Sequence, residues 1–248
     1  MKSDIPEEFD GEYYNEDYFK TPEGKKYKGS DGEVHGWSYN NETGDWGGCK
    51  PIAEAWRAVF QCKDLLDVGA GRGVFIAYAR EAGIEAVGFD YSPWAVDEGR
   101  FAKCDKEWLI EHDATKKWPY GTDQFALLVS LDLFEHVYEV DVDAVIAEMY
   151  RVAEKYIFLQ IATAGSGGLQ GEAEGYILKK GEPVPEGLEG MAVAGHVTVQ
   201  SEEFWLDRLD NEDWVRSRDR ENQFIGRVPE GVLHNWLLNS IIILERLD

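Results

Sequence analysis

The segment Asp67-Val68-Gly69-Ala70-Gly71-Arg72-Gly73 constrains this chain more than any other. It joins a short apolar run, Asp64 to Val68, to a stretch with helical periodicity, Val74 to Ala82, which Gly83 ends. Glycines at alternate positions let the backbone turn tightly and approach a ligand with no Cβ in the way. A dinucleotide fold prefers G-x-G-x-x-G, which would need glycine where Val74 stands. The spacing here is G-x-G-x-G, and an acid precedes it. A carboxylate at Asp67 would repel a pyrophosphate but suit an amino group or a sulfonium.

Around this turn, strand and helix patterns alternate. Pro51 opens a helix carried by Ile52, Ala55, Trp56, Val59 and Phe60. After the glycine turn come a strand at Ala86 to Phe89, a helix at Pro93 to Lys103 and a weak strand at Trp108 to Glu111. A strong strand at Phe125 to Leu131, a helix at Val142 to Ala153 and a strand at Tyr156 to Ala162 follow. A helix at Glu230 to Leu237 and a last strand at Ser240 to Leu247 close the pattern. Such alternation predicts a parallel sheet with helices on both faces. At 248 residues the chain suits one embellished α/β domain.

Two further acids end strands. Asp90 lies 17 positions after Gly73, where a carboxylate can accept both hydroxyls of a ribose. The structural alternative, a helix cap ahead of Pro93, falls better to Ser92. Asp113 follows the weak strand and could accept a hydrogen bond from an adenine amino group.

Leu65 to Arg100 resembles the first two motifs of class I S-adenosylmethionine (SAM)-dependent methyltransferases, and the resemblance runs through Phe125 to Val137 to the last strand. It implies a Rossmann-like, mostly parallel seven-stranded sheet with an antiparallel last strand. It further implies that Gly69, Gly71 and Gly73 wrap the methionine and ribose of SAM, that Asp90 binds the ribose and that Tyr91 flanks the adenine. Asp113 and Ala114 would meet the adenine edge, Leu131 would line the site, and Trp46 would close over the methionine end.

Two segments lie outside the shared core. Residues 1–50 form an aromatic-rich arm ahead of the methyltransferase domain at 51–248. The arm carries Tyr13, Tyr14, Tyr18, Phe19, Tyr27, Trp37, Tyr39 and Trp46, has no clean period, and suggests one short helix near Glu16 to Lys20. Residues 164–195 are crowded with glycine and contain Pro183 and Pro185, as expected of a functional lid or a disordered segment inserted after the fifth strand.

The segment after the fourth strand bears on chemistry. Asp132-Leu133-Phe134-Glu135-His136 lacks the Asn/Asp-Pro-Pro-aromatic motif of DNA amine methylation, and no cysteine follows that strand to attack a cytosine. Three readings of Glu135 and His136 stand side by side. They are a salt-bridging acid and a satisfied pocket-edge histidine, or His136 is a general base for a hydroxyl, or a metal binds. Acid-x-x-Glu-His with a distant His196 is similar to the ligand set of magnesium-dependent O-methyltransferases, though those mostly have Glu where Asp132 stands. The resemblance then makes Asp132, Glu135, His136 and His196 candidate metal ligands, and the topology predicts that His136 and His196 meet across 60 positions. His35, in the arm, is a more distant candidate for substrate contact. His112 and His234 suggest structural or exposed roles, and Arg216, Arg218, Arg220 and Arg227 suggest an exposed basic strand.

A net charge of -23 opposes phosphate backbones, which disfavours a nucleic-acid substrate or an anionic membrane. Cys49, Cys62 and Cys104 have no metal or redox spacing and suggest reduced thiols. With no apolar run long enough to span a bilayer, a cytoplasmic protein is expected. The expected function is transfer of a methyl group from SAM to a hydroxyl of a small molecule or glycan. The alternatives are a SAM-binding regulatory module without catalysis, or a metal-dependent 2′-O-type enzyme acting on a vicinal diol. A related aminopropyl transferase is a further alternative, and the glycine spacing disfavours a nicotinamide enzyme. Oligomeric state is not legible.

Overall fold

A computed structural model describes residues 4–166 and 175–247. The arm contains α1 (Glu16–Phe19) and a hairpin of β1 (Lys25–Lys28) and β2 (Val34–Trp37). The core then runs α2 (Cys49–Phe60), β3 (Asp64–Val68), α3 (Val74–Glu81), β4 (Glu85–Asp90), α4 (Pro93–Val96), β5 (Leu109–Glu111) and β6 (Phe125–Leu131). Next come α5 (Glu139–Val152), β7 (Ala153–Gln160), β8 (Tyr176–Ile177), α6 (Glu189–Val193) and β9 (Thr198–Val199). The chain ends with α7 (Glu202–Arg208), β10 (Trp214–Arg216), α8 (Arg218–Ile225), α9 (Asn235–Leu238) and β11 (Ile241–Arg246).

Seven strands form the central sheet in the order β10-β11-β7-β6-β3-β4-β5. β3 to β7 are parallel where they pair, and β11 runs antiparallel between β7 and β10. The strands are apolar on both faces, as a sheet covered on both sides requires. Leu65, Leu127, Phe158 and Ile243 pack on the side of α2, α3 and α8. Their neighbours Leu66, Leu128, Ile157 and Ile242 pack on the side of α5 and α7. Strand order reverses at β3, with β4 on one flank and β6 on the other. The crevice above such a reversal is where open α/β sheets bind ligands.

Several elements differ from the sequence expectation for identifiable reasons. The helix expected over Pro93 to Lys103 stops at Val96. Beyond it the chain docks on the glycine turn, where Arg72 donates to Gly99 O through Nε and Phe101 N donates to Arg72 O at 2.8 Å. The helix expected over Glu230 to Leu237 is absent as such, because Gly231 takes φ +84°; the helices nearby are α8 and α9. The four arginines share no strand: Arg216 sits on β10, whereas Arg218 and Arg220 lie on α8.

The arm is also more regular than its aromatics suggested. Tyr13 and Tyr18 donate hydroxyl hydrogen bonds to Val193 O (2.7 Å) and Ala194 O (2.9 Å). With Phe9, Tyr138, Leu178, Ala192 and Val197 they form a third apolar cluster joining arm and insertion. Within the insertion, β8 pairs with β9. Its Gly167, Gly168 and Gly171 lie outside the described residues.

Candidate functional site

A cavity of about 530 Å³ lies over the C-terminal ends of β3, β4, β6 and β7, roofed by the arm. It takes in most residues singled out from the sequence: Trp46, Asp67, Gly69, Gly71, Asp90, Tyr91, Asp113, Ala114, Leu131, Asp132 and His136. Gly73, Glu135 and His196 are not among its lining residues.

The glycine turn is held from below. Gly69 N and Ala70 N both donate to Phe89 O at 3.0 Å, and Gly71 N donates to Asp90 Oδ2 at 2.7 Å. Gly71 has φ +52° and nothing within 4 Å of where a Cβ would stand, so open space adjoins the turn there. Gly73 differs: at φ +75°, a Cβ would meet Cys104 Sγ at 2.6 Å. Its smallness lets α3 start against the chain after α4, and a role in wrapping a ligand has no support from its position.

Asp90 accepts from Gly71 N through Oδ2 and from Ser92 N through Oδ1 (2.9 Å). Each carboxylate oxygen keeps a lone pair for another donor. Ser92 caps α4 by accepting from Ala95 N at 2.9 Å, so the capping role falls where the sequence placed it. Asp113 is turned partly to its own loop, accepting from Thr115 N (2.8 Å) and Thr115 Oγ1 (2.7 Å). His112 lines the cavity with its ring edge on Phe89 and no partner for Nε2, contrary to the purely structural or exposed role expected. His35 does not line the cavity and pairs with Asp31 at 2.9 Å.

Asp67 is 2% exposed and its Oδ2 has no hydrogen-bond partner. Burial, with the Asp90 charge nearby, pushes its carboxyl up to about 8. A folded-state value above the ordinary 3.8 means that the native protein keeps this proton between about pH 4 and 8 while the unfolded chain loses it. Stability from this group therefore falls as pH rises across that window. Asp67→Asn should raise the melting temperature at pH 8.5 by roughly 2–4 °C, the shift that about 1 kcal/mol produces in a chain of this size. The gain should shrink toward zero at pH 4, and a gain independent of pH would rule out this origin.

The predicted meeting of His136 and His196 is found: their ring centroids are 5.0 Å apart. His136 follows β6 on a short helical turn, Phe134–His136. His196 follows α6 and is drawn in because Val197 N donates to Glu135 O at 2.7 Å. His136 Nδ1 lies 3.0 Å from Gly195 O. A carbonyl only accepts, so Nδ1 carries the hydrogen and Nε2 keeps its lone pair. Burial lowers His136 to about 4 and His196 to about 3, so both rings are neutral at pH 7.

Glu135 is fully buried, and neither of its carboxyl oxygens has a hydrogen-bond partner. Burial and the neighbouring Asp132 hold it well above the ordinary carboxyl range, while burial moves Asp132 up to about 6. Two adjacent carboxyls that resist joint ionisation tend to retain a proton between them. Asp132 also sits at φ +49°, an uncommon conformation for a residue with a side chain.

Glu135, His136 and His196 offer ligand atoms within 4.8 Å of one another, a group that fits a divalent ion. Asp132, the fourth ligand expected from the sequence, falls outside that group. Asp132 lines the cavity and Glu135 does not, although the two carboxyls interact with each other.

Several residues of the site belong to no motif. Tyr14, Tyr18 and Tyr39 line the cavity from the arm, and Gln160 lines it from the end of β7. Gln160 was findable as the polar residue ending the apolar run Tyr156 to Leu159. Gly195 is a third case. At φ +78° it has room for no Cβ, which would stand 2.9 Å from His136 Nδ1 and 3.0 Å from the Tyr14 hydroxyl. Gly195→Ala should cost about 1 kcal/mol or more through its backbone conformation and displace the His136 ring. Activity should fall while S-adenosylhomocysteine affinity holds, as steady-state kinetics beside calorimetry would show; unchanged kinetics would contradict this.

The strand order and the glycine turn are those of a Rossmann-like methyltransferase fold, and residues 66–156 match the family model of a methyltransferase domain. That match covers β3 to the start of β7. A solved structure from Listeria monocytogenes, named as an S-adenosylmethionine-dependent methyltransferase, is similar over 79% of this chain and 99% of its own, at 14% identity and TM-score 0.51. The plantazolicin methyltransferase BpumL, solved with a pentazolic desmethylPZN analog and S-adenosylhomocysteine, is similar over 82% of this chain and 87% of its own, at 14% identity and TM-score 0.53. At such identities the likeness is one of fold. No curated protein matches the chain in sequence. Among the described residues no helix is long and apolar enough to cross a membrane.

Proposed function

We propose that this methyltransferase places SAM on the glycine turn and transfers its methyl group to a hydroxyl of a small molecule or glycan, with His136 as general base. In this reading Asp90 holds the ribose hydroxyls, and Tyr91, Asp113 and Ala114 flank the adenine. Asp67 faces the cationic methionine end, Leu131 lines the site, and Trp46 closes it. The observation that carries the reading is the neutral His136 at the cavity wall, its Nδ1 fixed on Gly195 O and its Nε2 left with a lone pair. Displacement at a sulfonium carbon needs the nucleophile held in line, water excluded and a hydroxyl proton removed. The aromatic roof serves exclusion, and His136 takes the proton. Methylation of a mixed acceptor panel with isotope-labelled SAM, read by mass spectrometry, tests this; an N-methylated product, or no turnover alongside tight cofactor binding, would overturn it.

A second reading is favoured by the grouping of Glu135, His136 and His196. These three residues would hold a divalent ion, which when bound would polarise a hydroxyl or vicinal diol of the acceptor. Binding would also need Glu135 to give up its proton, so affinity would rise with pH. Elemental analysis and a chelator titration separate the readings: activity indifferent to chelator leaves the histidine acting alone.

A further inference from the structure

The cavity spans the sheet from β6 and β7 on one flank of β3 to β4 and β5 on the other, and its charges are unevenly matched. Six acidic side chains line it against three lysine or arginine side chains. All three cations are engaged. Arg72 donates to the carbonyls of Asn41 (3.0 Å) and Glu42 (3.1 Å), which ties the arm to the glycine turn. Lys116 pairs with Asp113 at 3.7 Å, on the β5 flank. Lys180 pairs with Glu8 (3.3 Å) and Asp141 (2.9 Å), closing arm, insertion and α5 together.

At the β6–β7 end no protein cation pairs with Asp132 among the described residues. Opposite it stand three tyrosines of the arm. The Tyr14 and Tyr18 rings are 4.9 Å apart, and Tyr18 and Tyr39 are 5.4 Å apart. Tyr39 lines the cavity from the arm and is 48% exposed. Gln160 completes the wall. Ser240 Oγ donates to Leu237 O, so its hydrogen is used and it accepts from Gln160 Nε2 at 3.0 Å. That fixes the amide, and Gln160 Oε1, on a side chain 1% exposed, is left without a partner. The wall therefore offers hydrogen-bond acceptors, one carboxylate and aromatic faces.

We propose that this wall of Asp132, Gln160, Tyr14, Tyr18 and Tyr39 recognises an ammonium group on the methyl acceptor, so that the substrate class is a small amine-bearing molecule with a flat apolar body. The proposal rests on the SAM reading above and adds the chemistry of the second substrate. An ammonium group supplies the charge that Asp132 lacks, donates to acceptor-only atoms, and is drawn to the faces of tyrosine rings. A carboxylate or phosphate in the same place would face Asp132 with no cation to offset it. The ammonium would anchor the molecule, leaving a neighbouring hydroxyl to receive the methyl group.

Three probes of one shape and different charge provide the test: tyramine, 4-ethylphenol and 4-hydroxyphenylacetate. Calorimetry with S-adenosylhomocysteine alone comes first, and its failure would count against the cofactor site rather than this wall. The probes are then titrated into the S-adenosylhomocysteine complex at pH 8 and low salt. Tyramine should bind roughly tenfold or more tighter than 4-hydroxyphenylacetate, with 4-ethylphenol between them. Asp132→Asn should remove the advantage of tyramine over 4-ethylphenol and leave S-adenosylhomocysteine affinity within about twofold; asparagine tolerates the left-handed backbone there, so the variant should fold. Tyr39→Leu should weaken tyramine by roughly fivefold. Equal binding of the three probes, tighter binding of the anion, an advantage that survives Asp132→Asn, or no binding of any probe would overturn the proposal.

Discussion

His136→Gln should lower kcat by about 10²–10⁴-fold, the range a positioned general base supplies, while S-adenosylhomocysteine binds as in the wild type. The expectation follows from the ring's place. His136 lines the cavity, is neutral at pH 7, and has one nitrogen engaged by Gly195 O. Glutamine can preserve a hydrogen bond to that carbonyl but cannot accept a proton near neutral pH. Comparing His136→Gln with His136→Ala separates the two jobs of the ring. Both should lose turnover, and only alanine should also lose the Gly195 contact and lower the melting temperature. Because burial holds His136 at about 4, the acid limb of the kcat profile should lie below the usual histidine range. A kcat for His136→Gln within a few-fold of wild type would remove the base assignment.

Asp90→Ala should weaken S-adenosylhomocysteine binding by about 100-fold or more. Hydrogen bonds to a charged group are each worth roughly 1.5–3 kcal/mol, and two ribose hydroxyls would lose theirs. The glycine turn would lose its clamp as well, since Gly71 N donates to Asp90 Oδ2 at 2.7 Å. Asp90→Asn keeps one acceptor oxygen and should fall between. Asp113→Ala offers a control at the other end of the site. Its carboxyl already serves Thr115, so its loss should cost only a few-fold. Calorimetric affinities equal for wild type and Asp90→Ala would overturn the ribose assignment.

The legible part of the site follows a common logic. Asp67, Gly69, Gly71 and Asp90 are local: each occupies a strand end or the turn beside it, and the strand-turn-helix pattern places it at the sheet's C-terminal edge. Gly73 shows the limit, since its glycine answers to Cys104, 31 positions away. The helix ends were least legible. α4 stops because residues 97–101 bind the glycine turn, and helix propensity carries no trace of that contact. In the arm, the rings were visible as a composition, but their division between packing and cavity was not. Tyr13 is buried against α6 while its neighbour Tyr14 faces the cavity.

Periodicity and glycine spacing alone were enough to predict the parallel sheet, the turn after its first core strand and the acids at its edge, because these depend on contacts within a few residues or within one strand pair. The meeting of His136 and His196 also came from sequence, through topology, since neighbouring parallel strands open at one edge. What the tertiary structure decided was polarity and enclosure. It tied Nδ1 of His136 to Gly195 O, left Asp132 outside the Glu135–His136–His196 group, and brought Tyr14, Tyr18 and Tyr39 over the cavity. Those outcomes depend on which groups are desolvated together by segments about sixty to more than a hundred residues apart, and desolvation is a property of the packed chain rather than of any stretch of it.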